Sequence, residues 1–191
     1  MLSVLVVTGC SDSEPPVVTD DVGGPRETGE PSRSPEAPVA PAGAPPYAGP
    51  PYEVVITDEN IGPAGLSQYW VTIENLDVSS TAYRDAVKEV VSDVAAGEQS
   101  ADVIVTVVTD RKIAEAESPS TVLDFIEEYG DDYLVNAIPT LEVEGWVASY
   151  SGGLNPDQAD PTDALDGYEI LWWPYGDLEV EAWKPDLPAS T

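Results

Sequence analysis

Histidine is absent from this 191-residue chain, and cysteine occurs once. Without histidine, the Ser-His and Cys-His catalytic pairs and the histidine-ligated metal centres are excluded. A single cysteine also excludes an intrachain disulfide and a cysteine metal cluster. The sequence has no apolar run near the roughly 20 residues that a membrane-spanning helix needs. The commonest catalytic and metal chemistries are therefore removed before any motif is considered.

Basic residues are scarce as well, because 7 Lys and Arg stand against 36 Asp and Glu and give a formal net charge of -29. Nucleic-acid binding requires cations that displace phosphate counterions, so the composition argues against a nucleic-acid partner. It argues equally against a basic face held on anionic lipid. Cationic partners, divalent metal ions and a saline environment remain compatible with this charge, as does the simple solubility of a secreted protein.

The one cysteine, Cys10, ends the apolar segment MLSVLVVTGC, after which the sequence turns to Ser, Asp, Glu and Pro. Small residues before a cysteine let a membrane peptidase hold an extended backbone, and the thiol can carry a diacylglycerol group. The motif VTGC at residues 7–10 resembles the lipobox of bacterial lipoproteins. This resemblance implies that Cys10 is lipidated, becomes the first residue of the mature chain and anchors it at the extracytoplasmic face of the cell membrane.

Residues 1–9 match only the end of a signal peptide, which ordinarily has a basic start and an apolar core of about 7–15 residues. We therefore expect a truncated signal peptide remnant, with the true start codon upstream. The alternative is a short cytoplasmic β-strand with an incidental cysteine. Such a strand would run directly into Pro-rich sequence and would have no neighbour to pair with.

Residues 10–51, which include the lipidated cysteine, form the expected tether. This segment is rich in Pro, with Gly, Ser, Glu and Ala between the prolines, and PAGAPPYAGPPY is its densest part. A segment without apolar periodicity cannot bury enough surface to offset the entropy lost on ordering. We expect a disordered, partly polyproline-like spacer between the anchor and the domain, the alternative being a plain disordered tail.

Residues 52–186 carry the periodic patterns of one domain, and 187–191 form a C-terminal tail. YEVVIT and QYWVTIEN, separated by a Pro-Ala-Gly turn signal, predict a hairpin. VIVTVVT is apolar on both faces and predicts a central strand. WVASY, YEILWW and LEVEAW predict three further strands near the end of the chain.

Two helices are predicted between these groups of strands. STAYRDAVKEVVSDVAAG has helical spacing, with Ser79 or Ser80 as its N-cap and Gly97 at its end. The second helix follows Ser118-Pro119 and ends near Gly130, and its apolar stripe comprises Val122, Leu123, Ile126 and Tyr129. Residues 131–144 are ambiguous, because YLVNAI could continue as a helix until Pro139 breaks it. We therefore predict an α+β domain, a mostly antiparallel sheet with two amphipathic helices packed on one face.

Four aspartates recur at every third position in the loop SGGLNPDQADPTDALDG (residues 151–167). They are Asp157, Asp160, Asp163 and Asp166. Hard oxygen ligands at this density could hold a calcium ion, which is the one cofactor hypothesis that the sequence raises. The loop lacks the D-x-D-x-D-G pattern and the distant Glu of an EF-hand. In so acidic a chain, a solvated surface loop accounts for the same residues.

Aromatic residues concentrate near the end of the chain, where Trp172 and Trp173 are adjacent. Aromatic rings beside carboxylates are a feature of sugar-binding surfaces, so these two tryptophans are candidate ligand-binding residues. In a strand, neighbouring side chains point to opposite faces, so one of the two is expected in the core and the other at least partly exposed. Both could equally be ordinary sheet and core aromatics.

Catalysis without histidine would have to use carboxylates, as glycosidases do. Glu142 and Glu144 would share one face of a strand, but nothing marks a particular pair, and we assign no catalytic residue. The sequence favours a lipoprotein whose non-catalytic domain binds an envelope glycan, another ligand or a protein partner, the last through an exposed strand edge. The alternative is a tethered carboxylate-dependent hydrolase that acts on envelope polysaccharide.

The anchor is tested by the intact mass of the N-terminal peptide isolated from the native cell, with the upstream reading frame restored. We expect a peptide that begins at Cys10 and carries a diacylglyceryl group, because the thiol is the lipid acceptor that the lipobox implies. A Cys10→Ser chain should leave the membrane fraction. An unmodified peptide that begins at Met1 would contradict the lipoprotein interpretation.

Overall fold

The computed structural model describes residues 47–153, 167–173 and 178–187. Within these ranges, six strands form one sheet in the order of the sequence, and five helices accompany it. The elements are β1 (Tyr52–Ile61), β2 (Leu66–Ile73), α1 (Tyr83–Glu98), β3 (Ile104–Val108), α2 (Arg111–Glu117), α3 (Val122–Tyr129), α4 (Asp131–Asn136), α5 (Ile138–Gly145), β4 (Trp146–Gly152), β5 (Tyr168–Trp172) and β6 (Glu179–Ala182). None of the helices in these ranges is long and apolar enough to cross a membrane.

The sheet is antiparallel at every pairing except that of β2 with β3, which is parallel. Consecutive parallel strands need a crossover connection, and α1 provides it. The predicted hairpin is present, because β1 and β2 pair in antiparallel fashion from Tyr52 opposite Ile73 to Ile61 opposite Leu66. The predicted α+β class and the mostly antiparallel sheet are confirmed.

One face of the sheet is covered by α1. The helix buries a stripe of Tyr83, Val87, Val90, Val91, Val94 and Ala95. This stripe packs on Tyr69 and Val71 of β2 and on Val105 and Val107 of β3. The largest cluster of buried residues therefore lies between α1 and the central strands.

The opposite face is covered by α2, whose Ile113 and Ala114 pack against Trp70 and Val108. The predicted second helix, α3, does not join α1, because its Phe125 packs with Ala116 and Ile138 in a separate cluster of α2, α3 and α5. The prediction put both helices on one face, whereas the structure puts α1 and the α2–α5 group on opposite faces. Strands that are apolar on both faces need cover on both.

The buried residue of α3 differs from the predicted stripe. Leu123 is 76% exposed, whereas Phe125 is 3% exposed. The Phe125 ring lies 4.7 Å from that of Tyr129 and 6.0 Å from that of Tyr133, measured between ring centroids. Residues four apart lie on the same helix face, so Phe125 and Tyr129 turn together toward the cluster.

The ends of α1 also differ from the prediction. The N-cap is Ala82, which makes no side-chain capping bond, and the helix runs past Gly97 to a left-handed C-cap at Gln99. Ser80 instead accepts a hydrogen bond from the backbone of Ala82 in the preceding turn. The ambiguous segment forms two helices, α4 and α5, separated at Ala137, and Pro139 lies in the first turn of α5 instead of ending a helix. Proline is tolerated there since the first backbone N–H groups of a helix have no intrahelical partner.

A buried carboxylate on β1 joins the sheet to the connection between α2 and α3. Asp58 is 4% exposed. It accepts hydrogen bonds from Trp70 Nε1 at 3.0 Å, from Ser118 Oγ at 2.8 Å and from the Ser120 backbone N–H at 3.2 Å. Buried donors that lose their acceptor are costly, so Asp58 fixes where the helical group sits on the sheet.

Replacing Asp58 with Ala should lower the free energy of unfolding by about 3 kcal/mol, because it leaves the buried Trp70 indole N–H without an acceptor and removes the carboxylate that Ser118 and Ser120 share. Urea unfolding followed by far-ultraviolet circular dichroism measures the loss. The control is Glu127→Ala, which removes an exposed carboxylate from α3 and should change stability by less than about 0.5 kcal/mol. Equal stability of the two variants would contradict this role of Asp58.

Candidate functional site

Five of the residues singled out from the sequence lie outside the described ranges. They are Cys10, Asp157, Asp160, Asp163 and Asp166. The lipid anchor and the calcium loop therefore remain predictions. Within residues 47–153, 167–173 and 178–187, no group of three or more His, Cys, Asp or Glu side chains could hold a metal ion.

Trp172 is a core residue and is not available to a ligand. Its side chain is 0% exposed and lies on the face of the sheet that α1 covers. The indole N–H donates to Glu181 at 3.2 Å, and the ring meets that of Tyr83 edge to face. The proposed ligand platform is therefore wrong for Trp172, because the alternation along β5 turns this ring into the core.

Trp173 lies on the opposite face, where it ends a row of three indole rings. The Trp70 and Trp146 rings have centroids 5.6 Å apart, and those of Trp146 and Trp173 are 5.4 Å apart. Trp70 is buried, whereas Trp146 and Trp173 are partly exposed. This tryptophan row, Trp70, Trp146 and Trp173, leads from the core to the surface.

The outer end of the row opens into a cleft of about 300 Å³ between α5 and the sheet. We call it the α5 cleft, and its described lining is Pro139, Glu142, Val143, Trp146 and Trp173. The Trp146 and Trp173 rings are inclined to each other by 53°, so they form a corner and not a flat platform. Cavities of this kind, mostly apolar with few polar groups, are the usual form of small-ligand sites.

Close contact at the end of α5 positions Glu142 and Trp146, two of the residues that line the α5 cleft. A Cβ atom at Gly145 would lie 2.6 Å from Ile113 Cδ1 and 2.9 Å from Thr109 Oγ1. The absence of a side chain lets the end of α5 approach α2 and β3, and the Thr109 backbone N–H donates to the Gly145 carbonyl at 2.8 Å. Strand β4 begins at the next residue, Trp146. Glu142 and Trp146 are therefore held on one rigid junction.

Glu142 is the one ionisable side chain in the described lining of the α5 cleft. Burial, the negative charge of Glu117 and a hydrogen bond with Glu117 raise the pKa of Glu142 from its ordinary 4.5 to about 7. The folded protein therefore binds this proton more tightly than the unfolded chain does. The resulting stabilisation is present at acid pH and is lost as the pH rises from about 4.5 to about 7.

The partner of Glu142 is not the one considered in the sequence. Glu142 and Glu144 lie on the helix α5, so the expectation that they share a strand face is wrong. Residues two apart on a helix do not face each other. Glu117 comes from α2, 25 positions earlier by residue number, and no local pattern connects it to Glu142. The pairing arises only because α2 and α5 pack together.

The buried indole N–H of Trp146 has no hydrogen-bond partner among the residues that the structure describes. A buried donor without an acceptor lowers stability, so hydrogen bonding does not explain a tryptophan at this position. The ring itself does two other things. It packs on the cluster of Trp70, Val108 and Ile113, and it forms one wall of the α5 cleft.

No protein family, curated protein or solved structure matches this chain. Function is therefore inferred from the VTGC motif and from the geometry of the α5 cleft.

A titration of side-chain carboxyl carbons by nuclear magnetic resonance should show Glu142 changing protonation near pH 7. In Glu117→Gln the pKa of Glu142 should fall, because a negative neighbour is removed, but should stay above 4.5, because burial is the larger cause. Glu115→Gln, on the same helix, is the control and should leave the titration in place. A Glu142 pKa that Glu117→Gln does not change would contradict the pairing.

Proposed function

We propose that this protein is a lipid-anchored, extracytoplasmic binding protein whose folded domain captures a small ligand in the α5 cleft without transforming it. The observation that carries the proposal is the exposed end of the tryptophan row, where Trp146 and Trp173 form two walls of a cavity of about 300 Å³. Ligand pockets are typically apolar cavities with a few polar groups that fix orientation.

The N-terminal sequence supports the cellular placement in this proposal. The VTGC motif supplies a lipid acceptor at Cys10, and the Pro-rich segment that follows supplies a spacer. A diacylglycerol group carries two fatty acyl chains. Two such chains on one residue can hold a protein at a membrane without a membrane-spanning helix. The domain would then sample the space outside the membrane for its ligand.

The hydrolase alternative finds less support in the arrangement of carboxyl groups. Glycosidases hold two carboxyls about 5–5.5 Å or about 6.5–9.5 Å apart, so that the sugar or a water fits between them. The described lining of the α5 cleft contains one carboxyl, that of Glu142, and so offers no second carboxyl across the cleft. This geometry favours binding over polysaccharide cleavage.

Strand-edge pairing with a protein partner is a further alternative. The described sheet has two edge strands, β1 and β6. The longer one, β1, is interrupted by two register irregularities, which disfavour the addition of a strand. The other, β6, is only four residues long and carries Glu179 and Glu181. These carboxylates pair with Arg84 and Lys88 of α1. Short, charged edge strands are poor templates for an added strand.

Ligand binding is tested by saturation-transfer nuclear magnetic resonance on the full chain, with a panel of small saccharides, amines and organic acids. We expect at least one compound to receive saturation, and Trp173→Ala to abolish the transfer by removing a wall of the cleft. Trp183→Ala is the matched control, because Trp183 is partly buried against the α1 side of the sheet. Binding unaffected by Trp173→Ala, or cleavage of a panel saccharide, would contradict the proposal.

A further inference from the structure

The charge around the α5 cleft is negative, and the described cations are engaged elsewhere. Arg84 and Lys88 pair with β6, and Arg111 pairs with Glu53 and Glu115. Two lysines lie over tyrosine rings: Lys112 over Tyr129 and Tyr133, and Lys184 over Tyr168. Within the described ranges, Glu142 forms no salt bridge with a basic side chain, and no Lys or Arg lies over the Trp146 or Trp173 ring.

Other aromatic rings in the described ranges already bind cations of the protein itself. Cations lie over aromatic rings at several places, for example Arg84 at 5.0 Å from the Trp172 centroid and Lys112 at 4.6 Å from that of Tyr129. Tryptophan offers the strongest such interaction among the aromatic side chains. Trp146 and Trp173 therefore form a corner suited to a cation that the protein itself does not supply.

Other ligand chemistries fit the described lining less well. An anion would be repelled by Glu117, by ionised Glu142 and by the net charge of -29. A saccharide would bring several hydroxyl groups into a lining where Pro139, Val143 and the two indoles offer few partners. Buried hydroxyl groups without hydrogen bonds are costly, whereas a cation with apolar substituents needs only rings and one carboxylate.

We propose that the ligand of the α5 cleft is a small organic cation of the quaternary-ammonium or alkylammonium class. Its apolar substituents contact Trp146 and Trp173, and its charge lies beside Glu142. The inference rests on the proposed function, since it names the ligand class of the same cleft. The volume of about 300 Å³ is at the small end of ligand pockets and suits such a compound.

Cation binding and proton release are coupled at Glu142. Because the carboxyl is protonated below about pH 7, a cation that prefers the carboxylate should bind more tightly as the pH rises. Among the elements packed against α5, α2 presents Glu117 and β4 presents the non-titrating Trp146. The nearby titratable residues of α4 are Asp131, Asp132 and Tyr133, and the Tyr133 hydroxyl accepts a hydrogen bond from Lys112.

The test is isothermal calorimetry on the full chain with choline and with 3,3-dimethyl-1-butanol, in which carbon replaces the charged nitrogen. Choline should bind at least about tenfold more tightly than the neutral alcohol, and about tenfold more tightly at pH 8 than at pH 6. Glu142→Gln should lower the choline affinity about tenfold and remove the pH dependence. Trp173→Leu should weaken choline binding while the fold, checked by circular dichroism, is retained.

The matched control is Glu144→Gln, which removes an exposed carboxylate from the same helix and should leave choline affinity nearly unchanged. Equal affinity for choline and the neutral alcohol would overturn the inference. So would an equal loss in Glu142→Gln and Glu144→Gln, which would reflect net charge alone. If neither probe binds but a saccharide or acid of the panel binds through Trp173, the cation inference fails and the proposed function stands. If no panel compound binds, both fail.

Discussion

Burial of the central strands on both faces is the constraint on which the rest of the structure depends. β2 and β3 bury Val71, Val105 and Val107 toward α1 and Trp70 and Val108 toward α2. Each such side chain contributes about 1.5–3 kcal/mol when removed from water. The parallel pairing of these strands sends the chain across one face through α1, so the connection to β4 must cover the other. The α5 cleft forms where that second cover ends and the tryptophan row reaches the surface.

The cations in the described ranges are used for structure. Arg84 and Lys88 of α1 pair with Glu179 and Glu181 of β6 and so hold the edge strand beside the helix. Each exposed ion pair of this kind contributes only about 0–1 kcal/mol to folding stability. Their main effect is to align β6 with α1. The described lining of the α5 cleft receives none of these cations. Its negative charge is thus uncompensated, in a protein whose overall charge already attracts cations.

The strands, α1 and α3 were predictable because their patterns are local. Alternating apolar and polar residues predicted β2, a continuous apolar run predicted β3, and apolar residues at helical spacing predicted α1. Helix α2 was missed because it has only seven residues. Asp110 is a typical N-cap residue, and its side chain accepts a hydrogen bond from the Lys112 backbone N–H. Phe125 was missed although it lies four residues before Tyr129. The Glu117–Glu142 pair and the tryptophan row depend on tertiary packing between distant segments, and no pattern in the sequence specifies them. Of the described cleft lining, Trp173 was predicted as a ligand-binding residue, whereas Glu142 was considered only in a pairing with Glu144 that is wrong.

The junction at Gly145 has a consequence for the speed of binding. Helix α5 ends at Gly145 and strand β4 begins at Trp146, so no loop separates two walls of the α5 cleft. The junction thus provides no hinge loop about which Glu142 and Trp146 could move apart as a lid does. If the cleft binds a ligand as proposed, association and release would not have to wait for a closing step at this junction. In the lipid-anchored protein that we propose, such a site would be suited to rapid, reversible exchange with the surroundings.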